Sequence, residues 1–578
     1  MTGRETAGDI VIRGGTVVDG TGAPAYTADV RVRNGAIAEI GSNLPARAGE
    51  KIHDAAGCYV APGFIESHTH YDGVMWWQND LDPLPGYGAT TVVLGNCGFT
   101  AAPMSEDDIA RQEMAKIFSF FEDIPIDPLV NELPWDWKTW SEYKKSMVKG
   151  TKVPANYCAF VGHIAIRLAV MGLEAWDRAA TPTEISRMAE LLDDALSAGA
   201  LGLSSNLLDH DGSDRPIPTL KADDAEFSAL FNVLARYPGT SFQVVLDTFM
   251  RMTGPASLDR IARLAEGKNI RVQWAGLPTL QFQKDAGMQA PMLELHERFA
   301  KEGRDFWTGY AHIPFTSTLS VWHSLVWAQS NTYVWHEVIQ AETEEEKIKL
   351  LSDPEWRARA RVSLDNDVYR FSPLADGGRL IFLNSDNGVG PVKCTAADYA
   401  KELGVHYSDA MAEWFIRNGL KSTVHLAPWP LDEEMVIRLI RDPYSVGNIN
   451  DSGAHGQMLC GGGENIVLFT KYVKQLKAIT VEEAVYVMTG KLAKFFNLND
   501  RGELKVGKRA DIVVFNMDEI EQREMRKVFD VPEKNGGKAW RWTRDAAPMR
   551  LTLVNGEATF ENGKYTGATP GVMLTPAA

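Results

Sequence analysis

Residues 59–70, YVAPGFIESHTH, are a short apolar run that ends in two histidines, His68 and His70. A run of this length and composition, beginning and ending next to turn residues, predicts a buried β-strand. Residues two apart on a strand face the same side, so both imidazoles are expected to point at one place. Two imidazoles with a common target indicate a metal site at the end of this strand.

Seven further apolar runs follow along the chain, and helical patterns separate several of them. Their sequences are TTVVLGNCG (90–98), NYCAFVGH (156–163), GALGLSSN (199–206), SFQVVLD (241–247), IRVQWAGL (270–277), DFWTGYAHI (305–313) and SVGNINDSGAH (445–455). The clearest helix starts at Thr181-Pro182-Thr183-Glu184, which has the pattern of a capping box. Eight strand–helix units predict an α/β fold, a (β/α)8 TIM barrel.

The two ends of the chain alternate apolar and polar residues instead. Asn34-Gly35, Asn555-Gly556 and Asn562-Gly563 lie between such runs, and Asn-Gly is the strongest short signal for a β-hairpin. We therefore predict a small β-sandwich domain formed by residues 1–61 and 500–578, and a barrel over residues 62–499. A long insertion at about 314–445 precedes the last strand, and a connection of that length is usually functional.

In a barrel of this kind, catalytic groups project from the carboxyl ends of the strands. Cys97 ends the second strand, and a thiolate is a good zinc ligand. Asp451 ends the eighth strand, where it can contact the metal and also accept a proton from the attacking water. Read alone, a buried cysteine such as Cys97 is more often a small core residue than a ligand, and Asp451 is equally typical of a turn before Gly453.

Four more polar side chains stand at or just after strand ends and are candidates for substrate binding. They are His163, Arg167, Asp247 and His312. Arg167 is the best candidate for holding a substrate carboxylate, because guanidinium groups form paired hydrogen bonds with carboxylates. For each residue taken alone, a purely structural role is at least as plausible.

Composition limits the class of protein. The chain has 59 Lys+Arg against 76 Asp+Glu, a formal charge of −17, which argues against nucleic acid or an anionic membrane as a partner. Five cysteines in 578 residues indicate no disulfide framework, and no apolar run is long enough for a membrane span. We expect a cytoplasmic protein that binds a small molecule, with homo-oligomer formation left open.

The quoted segments together resemble the amidohydrolase superfamily, and within it the N-acyl-D-amino-acid deacylase (D-aminoacylase) group. The resemblance rests on VAPGFIESHTHYDG, TTVVLGNCG, FVGHIAIRLAVMG, GALGLSS, NDSGAHGQM and RGELKVGKRADIVVFN, and it extends over nearly the whole chain. It implies a (β/α)8 barrel with a small β-sandwich and one or two zinc ions. It also implies that His68, His70 and Cys97 bind metal, and that Asp451 activates water.

This chain departs from the pattern at two strands. Typical members carry a histidine on the fifth strand, in a segment like THMR, and another on the sixth, in a segment like SHHK. Here those places hold FQVVLDT and VQWAGLP, without histidine. We therefore expect one zinc ion near His68 and His70, with two as the alternative.

The expected activity is hydrolysis of a carbon–nitrogen bond other than a peptide bond, as in N-acyl-amino-acid deacylases. Cyclic amide or ester hydrolysis and decarboxylation are alternatives on the same scaffold, and so is a binding protein without catalysis.

Overall fold

The structure is a computed structural model, and it describes residues 9–213, 215–248, 252–314, 316–322, 334–365, 377–545 and 549–577. Parts of the predicted insertion lie outside the described residues, namely residues 315, 323–333 and 366–376. Residues 1–8 of the predicted β-sandwich domain lie outside them too.

Eight parallel strands form the centre of the molecule, and three of them are interrupted. In chain order they are Phe64–Glu66 with His68–Thr69, Ala89–Leu94, Asn156–Ala159 with Val161–Gly162, Gly202–Leu207, Ser241–Leu246, Arg271–Ala275, Phe306–Gly309, and Ser445–Val446 with Ile449–Ser452. Each strand pairs in parallel with the next, and the eighth returns to the first through Ile449 and His68. The predicted closed barrel is therefore confirmed.

Helices connect successive strands and cover the outside of the barrel. Those before the seventh strand are Tyr71–Val74, Asp108–Glu122, Ile126–Asn131, Trp140–Gly150, His163–Met171, Pro182–Ser197, Asp224–Leu234, Gly254–Leu264, Gln281–Asp285 and Gln289–Lys301. The helix Pro182–Ser197 begins with the predicted capping box, in which Thr181 and Glu184 each bond the other's backbone. Among the described residues, no helix is both long and apolar enough to cross a membrane.

The connection between the seventh and eighth strands is a substantial addition to the barrel. It holds the helices His336–Gln340, Glu344–Ser352, Pro354–Leu364, Ala396–Leu403, Tyr407–Asn418 and Glu433–Arg441. It also holds a small sheet of Ser317–Leu319, Thr423–Leu426 and Ile381–Asn384. After the eighth strand come the helices Leu468–Gln475, Val481–Met488 and Gly490–Phe495.

Strands from both ends of the chain share one sheet. Tyr59–Pro62 from the first part pairs antiparallel with Ile512–Phe515 from the last part, which joins the two sets. The remaining strands are Ile10–Val17, Tyr26–Arg33, Ala36–Gly41, Lys51–Asp54, Met549–Val554, Glu557–Glu561 and Lys564–Tyr565, and a separate hairpin pairs Met525–Pro532 with Lys538–Arg544. The exact domain limits at residues 61 and 500 stay a prediction.

The three Asn-Gly pairs form the tight turns that their sequence predicts. Asn34, Asn555 and Asn562 all have φ between 49° and 51°, and the following glycines also have positive φ. This backbone matches the two-residue hairpin turns whose twist suits the flanking strands. The turns fix the register of the shared sheet and so its attachment to the barrel.

Candidate metal centre

Side chains from the first, second and eighth barrel strands meet at one end of the barrel. His68, His70 and Cys97 offer ligand atoms that all lie within 4.8 Å of one another. The His68 Nε2 atom is 3.0 Å from the Cys97 Sγ atom, and His70 Nε2 is 3.9 Å from the same sulfur. Pairing of the first and eighth strands brings the Asp451 Oδ1 atom to 3.3 Å from His68 Nε2 and 3.6 Å from His70 Nε2.

These four groups fit a divalent metal such as zinc. Two imidazoles, a thiol and a carboxyl are the donor types that zinc binds. Tetrahedral donors at zinc–ligand distances of about 2.0–2.3 Å lie roughly 3.3–3.8 Å apart, close to the separations measured here. The two imidazoles are buried, while the Asp451 side chain is 41% exposed. The most exposed donor is therefore also the predicted proton acceptor.

Negative charge surrounds the sulfur. Burial raises the pKa of the Cys97 thiol well above its usual value, and the charges of Glu122, Asp451, Asp209 and Asp72 raise it further. A thiol in such surroundings becomes a thiolate readily only beside a cation. Without a cation the Cys97 thiol is therefore a poor nucleophile, and a metal ion would supply the positive charge that favours its thiolate.

Asp451 and His70 support each other electrostatically. Burial favours the neutral form of Asp451, but the His70 hydrogen bond and the charges of His68 and His70 hold its pKa below the usual range. For His70, burial lowers the pKa, but the charges of Glu122 and Asp451 raise it to about 9. Asp451 is therefore ionised at neutral pH and can coordinate a cation or accept a proton.

The backbone is specially shaped where these ligands stand. Cys97 and Asp451 both have positive φ, 58° and 50°, which is uncommon for residues other than glycine. The Cys97 N–H donates to the Gln243 Oε1 atom at 3.0 Å. Gly453 has φ of 93°, and a Cβ there would lie 2.8 Å from the backbone of His70. These contacts hold the Cys97 and Asp451 loops against the strands.

The fifth and sixth strands present glutamines to the barrel interior. Gln243 and Gln273 are paired in register and are fully buried. Gln243 reaches Cys97, whereas the side-chain amide of Gln273 has no hydrogen-bond partner among the described residues. The cluster therefore has imidazole donors from the first strand, and an amide from the fifth strand supports it.

Two of the predicted substrate-binding residues lie in a closed network. The two ring nitrogens of His163 form hydrogen bonds, Nδ1 with the Ser205 hydroxyl at 3.0 Å and Nε2 with the Glu226 carboxylate at 2.7 Å. Arg167 forms an ion pair with the same carboxylate. The side chains of His163, Arg167 and Glu226 are 0% exposed. Both side chains contact Glu226, and a substrate role for His163 or Arg167 stays a prediction.

The other two predicted residues are also buried. Asp247 follows the fifth strand, and the Thr253 hydroxyl lies 3.5 Å from its carboxylate. His312 Nε2 is 3.0 Å from the Glu464 carbonyl oxygen, and the His312 carbonyl accepts from the Tyr472 hydroxyl. Their substrate roles likewise stay predictions.

Two residues near the cluster were not predicted from the sequence. Glu122, the last residue of the helix Asp108–Glu122, has its Oε1 atom 3.2 Å from His70 Nδ1. His455, four residues after Asp451, lies with Nε2 at 3.8 Å from Glu122 Oε2. The only local signal was the proximity of His455 to Asp451 in NDSGAH, and nothing in the sequence around Glu122 marked it.

Comparisons with known proteins agree with the fold. Residues 51–560 match the model of the amidohydrolase family. The D-aminoacylase of Alcaligenes xylosoxydans xylosoxydans is 26% identical over 99% of this chain and 98% of its own length, and the N-acyl-D-aspartate deacylase of the same organism is 26% identical over 98% and 95%.

Two solved structures resemble this one over almost its whole length. A crystal structure of D-aminoacylase matches with a TM-score of 0.66 at 23% identity, covering 99% of this chain and 100% of that one. An N-acyl-D-glutamate deacylase from Bordetella bronchiseptica, solved with zinc and a phosphonate inhibitor, matches with a TM-score of 0.65 at 23% identity and the same coverage. At this identity the likeness establishes the fold.

Proposed function

Because the chain belongs to the amidohydrolase family, we propose that it hydrolyses the amide bond of an N-acyl amino acid with one zinc ion held by His68, His70 and Cys97. The coarser description, a metal-dependent hydrolase of carbon–nitrogen bonds other than peptide bonds, follows from the family and its deacylase relatives. The finer proposal rests on one observation: three residues with donor atoms suited to a metal meet Asp451 at the barrel mouth.

The relatives support the choice of substrate class and metal. Two whole-length relatives are named for removing acyl groups from D-amino acids or D-aspartate, and a structural neighbour was solved with zinc. The fifth and sixth strands supply Gln243 and Gln273 rather than histidines, which supports one ion rather than two. A cytoplasmic location and self-association stay predictions.

Asp451 is the residue to which we assign proton transfer. A bound divalent metal supplies Lewis-acid chemistry, which makes water more acidic and polarises a carbonyl oxygen. Asp451, ionised and half-exposed, accepts a proton from the attacking water as the oxygen bonds to the amide carbon. It then returns that proton to the leaving nitrogen as the carbon–nitrogen bond breaks, giving a carboxylic acid and an amine.

The first test is an Asp451→Asn variant assayed on a panel of N-acyl-D- and N-acyl-L-amino acids. Asparagine keeps the shape and removes the proton acceptor, so we expect hydrolysis to fall by about 100-fold or more, with the fold retained. Amine release measures turnover. The control is Asp108→Asn, because Asp108 is 72% exposed, and we expect this variant to keep full activity.

Two outcomes contradict the proposal. Full hydrolysis by Asp451→Asn removes the assigned role of that residue. Release of CO₂ by the wild-type protein, with neither amine nor acid produced from any amide in the panel, replaces hydrolysis by decarboxylation.

A further inference from the structure

Glu122 approaches the metal ligands from outside the barrel strands. It ends the helix Asp108–Glu122, which lies in the connection between the second and third strands. Its side chain is only 5% exposed, and Oε1 is 3.2 Å from His70 Nδ1. The two atoms lie in polar contact distance, although the geometry is not that of a fully aligned hydrogen bond. Burying a carboxyl group is costly unless a partner compensates it. Burial raises the pKa of Glu122 to about 8, against the lowering effect of the His70 charge, so the position of this group against His70 requires an explanation.

The two nitrogens of His70 face different partners. Nε2 faces the cluster, at 3.9 Å from the Cys97 sulfur and 3.6 Å from Asp451 Oδ1, while Nδ1 faces Glu122. A neutral imidazole that gives its Nε2 lone pair to a metal carries its proton on Nδ1. A carboxylate at Nδ1 favours that tautomer and that ring orientation. His68 differs in this respect, since its carboxyl contact, with Asp451, is made through Nε2, and its Nδ1 has no hydrogen bond among the described residues.

Glu122 also contacts the segment that follows Asp451. Its Oε2 atom is 3.8 Å from His455 Nε2, and its main-chain carbonyl accepts a hydrogen bond from the His455 N–H at 2.5 Å. His455 itself has a positive φ of 55°. One residue thus joins the first-strand ligand to the loop beyond the eighth strand, so movement of either would disturb the other.

We propose that Glu122 is a positioning residue, which fixes the tautomer and orientation of His70 and thereby sets the affinity of the centre for its metal. The inference rests on the proposed function in requiring that His70 binds metal through Nε2. It does not depend on the identity of the substrate.

The test is zinc affinity in Glu122→Gln, measured by competition with a chelating dye. Glutamine has the same shape but no charge, so we expect zinc binding to weaken about 10- to 100-fold, the range typical of lost outer partners. The cobalt-substituted protein should also show a shifted visible spectrum, because the ligand field of His70 changes. The thermal midpoint of the metal-free protein checks that folding is retained.

Asp123→Asn is the matched control. Asp123 is the next residue and also carries a carboxyl, but burial alone raises its pKa, to about 7, without a contribution from either histidine. We expect its zinc affinity and cobalt spectrum to equal those of the wild type. Equal weakening in both variants would overturn the proposal, since the helix end and not the Glu122 carboxylate would then be responsible.

Wild-type affinity and spectrum in Glu122→Gln would also overturn it. A second measurement needs no variant: nitrogen NMR of histidine-labelled, zinc-loaded wild type should find His70 protonated on Nδ1, and protonation on Nε2 would contradict the proposal. A wild type that binds no zinc at all removes the proposed function itself, which distinguishes the two failures.

Discussion

Glu226 is a buried carboxylate whose charge is balanced by neighbouring side chains and not by water. Its two carboxylate oxygens contact His163 and Arg167, and all three side chains are fully buried. Burial raises the pKa of Glu226, but its contacts with His163 and Arg167 lower it overall. Arg167 also donates to the Ala175 and Arg178 carbonyls, which leaves its guanidinium enclosed. The network joins the third strand to the helix Asp224–Leu234.

Glu226→Gln should therefore be strongly destabilising. It leaves Arg167 buried without its counter-charge, and breaking a buried pair typically costs about 3–5 kcal/mol. The measurement is the midpoint of urea unfolding. Glu190→Gln is the control, because the Arg187–Glu190 pair is 61% exposed on both sides and should change stability by less than about 1 kcal/mol. A Glu226→Gln midpoint as high as that of the control would contradict the network's role.

Residues at strand ends could be predicted from the sequence, and their distant partners could not. His68, His70, Cys97 and Asp451 each follow an apolar run, and barrel geometry directs such residues to one place. Glu122 belongs to a helix inside a long connection, where no pattern indicates which way it faces. Arg167 is predicted to bind a substrate carboxylate, and that role stays a prediction; within the protein it pairs with the carboxylate of Glu226, which is 59 residues away.

At the scale of elements, local signals determined where several helices and turns begin. The helix Pro182–Ser197 starts where Thr181 accepts from the Glu184 N–H and Glu184 accepts from the Thr181 N–H. The apolar residues on its buried face recur at helical spacing, and they include Met188, Leu192 and Ala195. Such features depend on neighbours within a few residues, so one sequence is enough to predict them.

Thr181→Ala should loosen the beginning of that helix. The variant removes one half of the capping box, which typically costs about 1 kcal/mol. Amide hydrogen exchange should become faster by several-fold in the first helical turn and stay unchanged in the last. Ser186→Ala, at an exposed position in the same helix, serves as the control and should leave exchange in the first turn unchanged. Equal protection in Thr181→Ala would show that the cap contributes nothing.

Segments that lack a clear helical or strand periodicity could not be assigned from the sequence. The segment between the seventh and eighth strands was predicted only as an insertion, whereas the structure gives it six helices and a three-stranded sheet in its described parts. The antiparallel order of that sheet joins residues about a hundred positions apart. Pairing at that distance depends on the folded chain and leaves no local mark.

For the whole molecule, closure of the barrel brings the site together. His68 and His70 lie near residue 70 and Asp451 near residue 450, yet the first and eighth strands are direct neighbours. The shared sheet also joins the two ends of the chain, since Tyr59–Pro62 and Ile512–Phe515 pair just outside the barrel. A metal bound by His68, His70 and Cys97, with Asp451 beside it, would link the first, second and eighth strands.

The proposed metal centre is tested by the zinc content per chain of wild-type protein and of Cys97→Ala, each equilibrated with zinc and freed of excess. We expect about one zinc ion per wild-type chain and loss of most of it in the variant, because the thiolate is one of the three proposed protein ligands. A wild type that retains no zinc, or a variant that retains as much as the wild type, would contradict it.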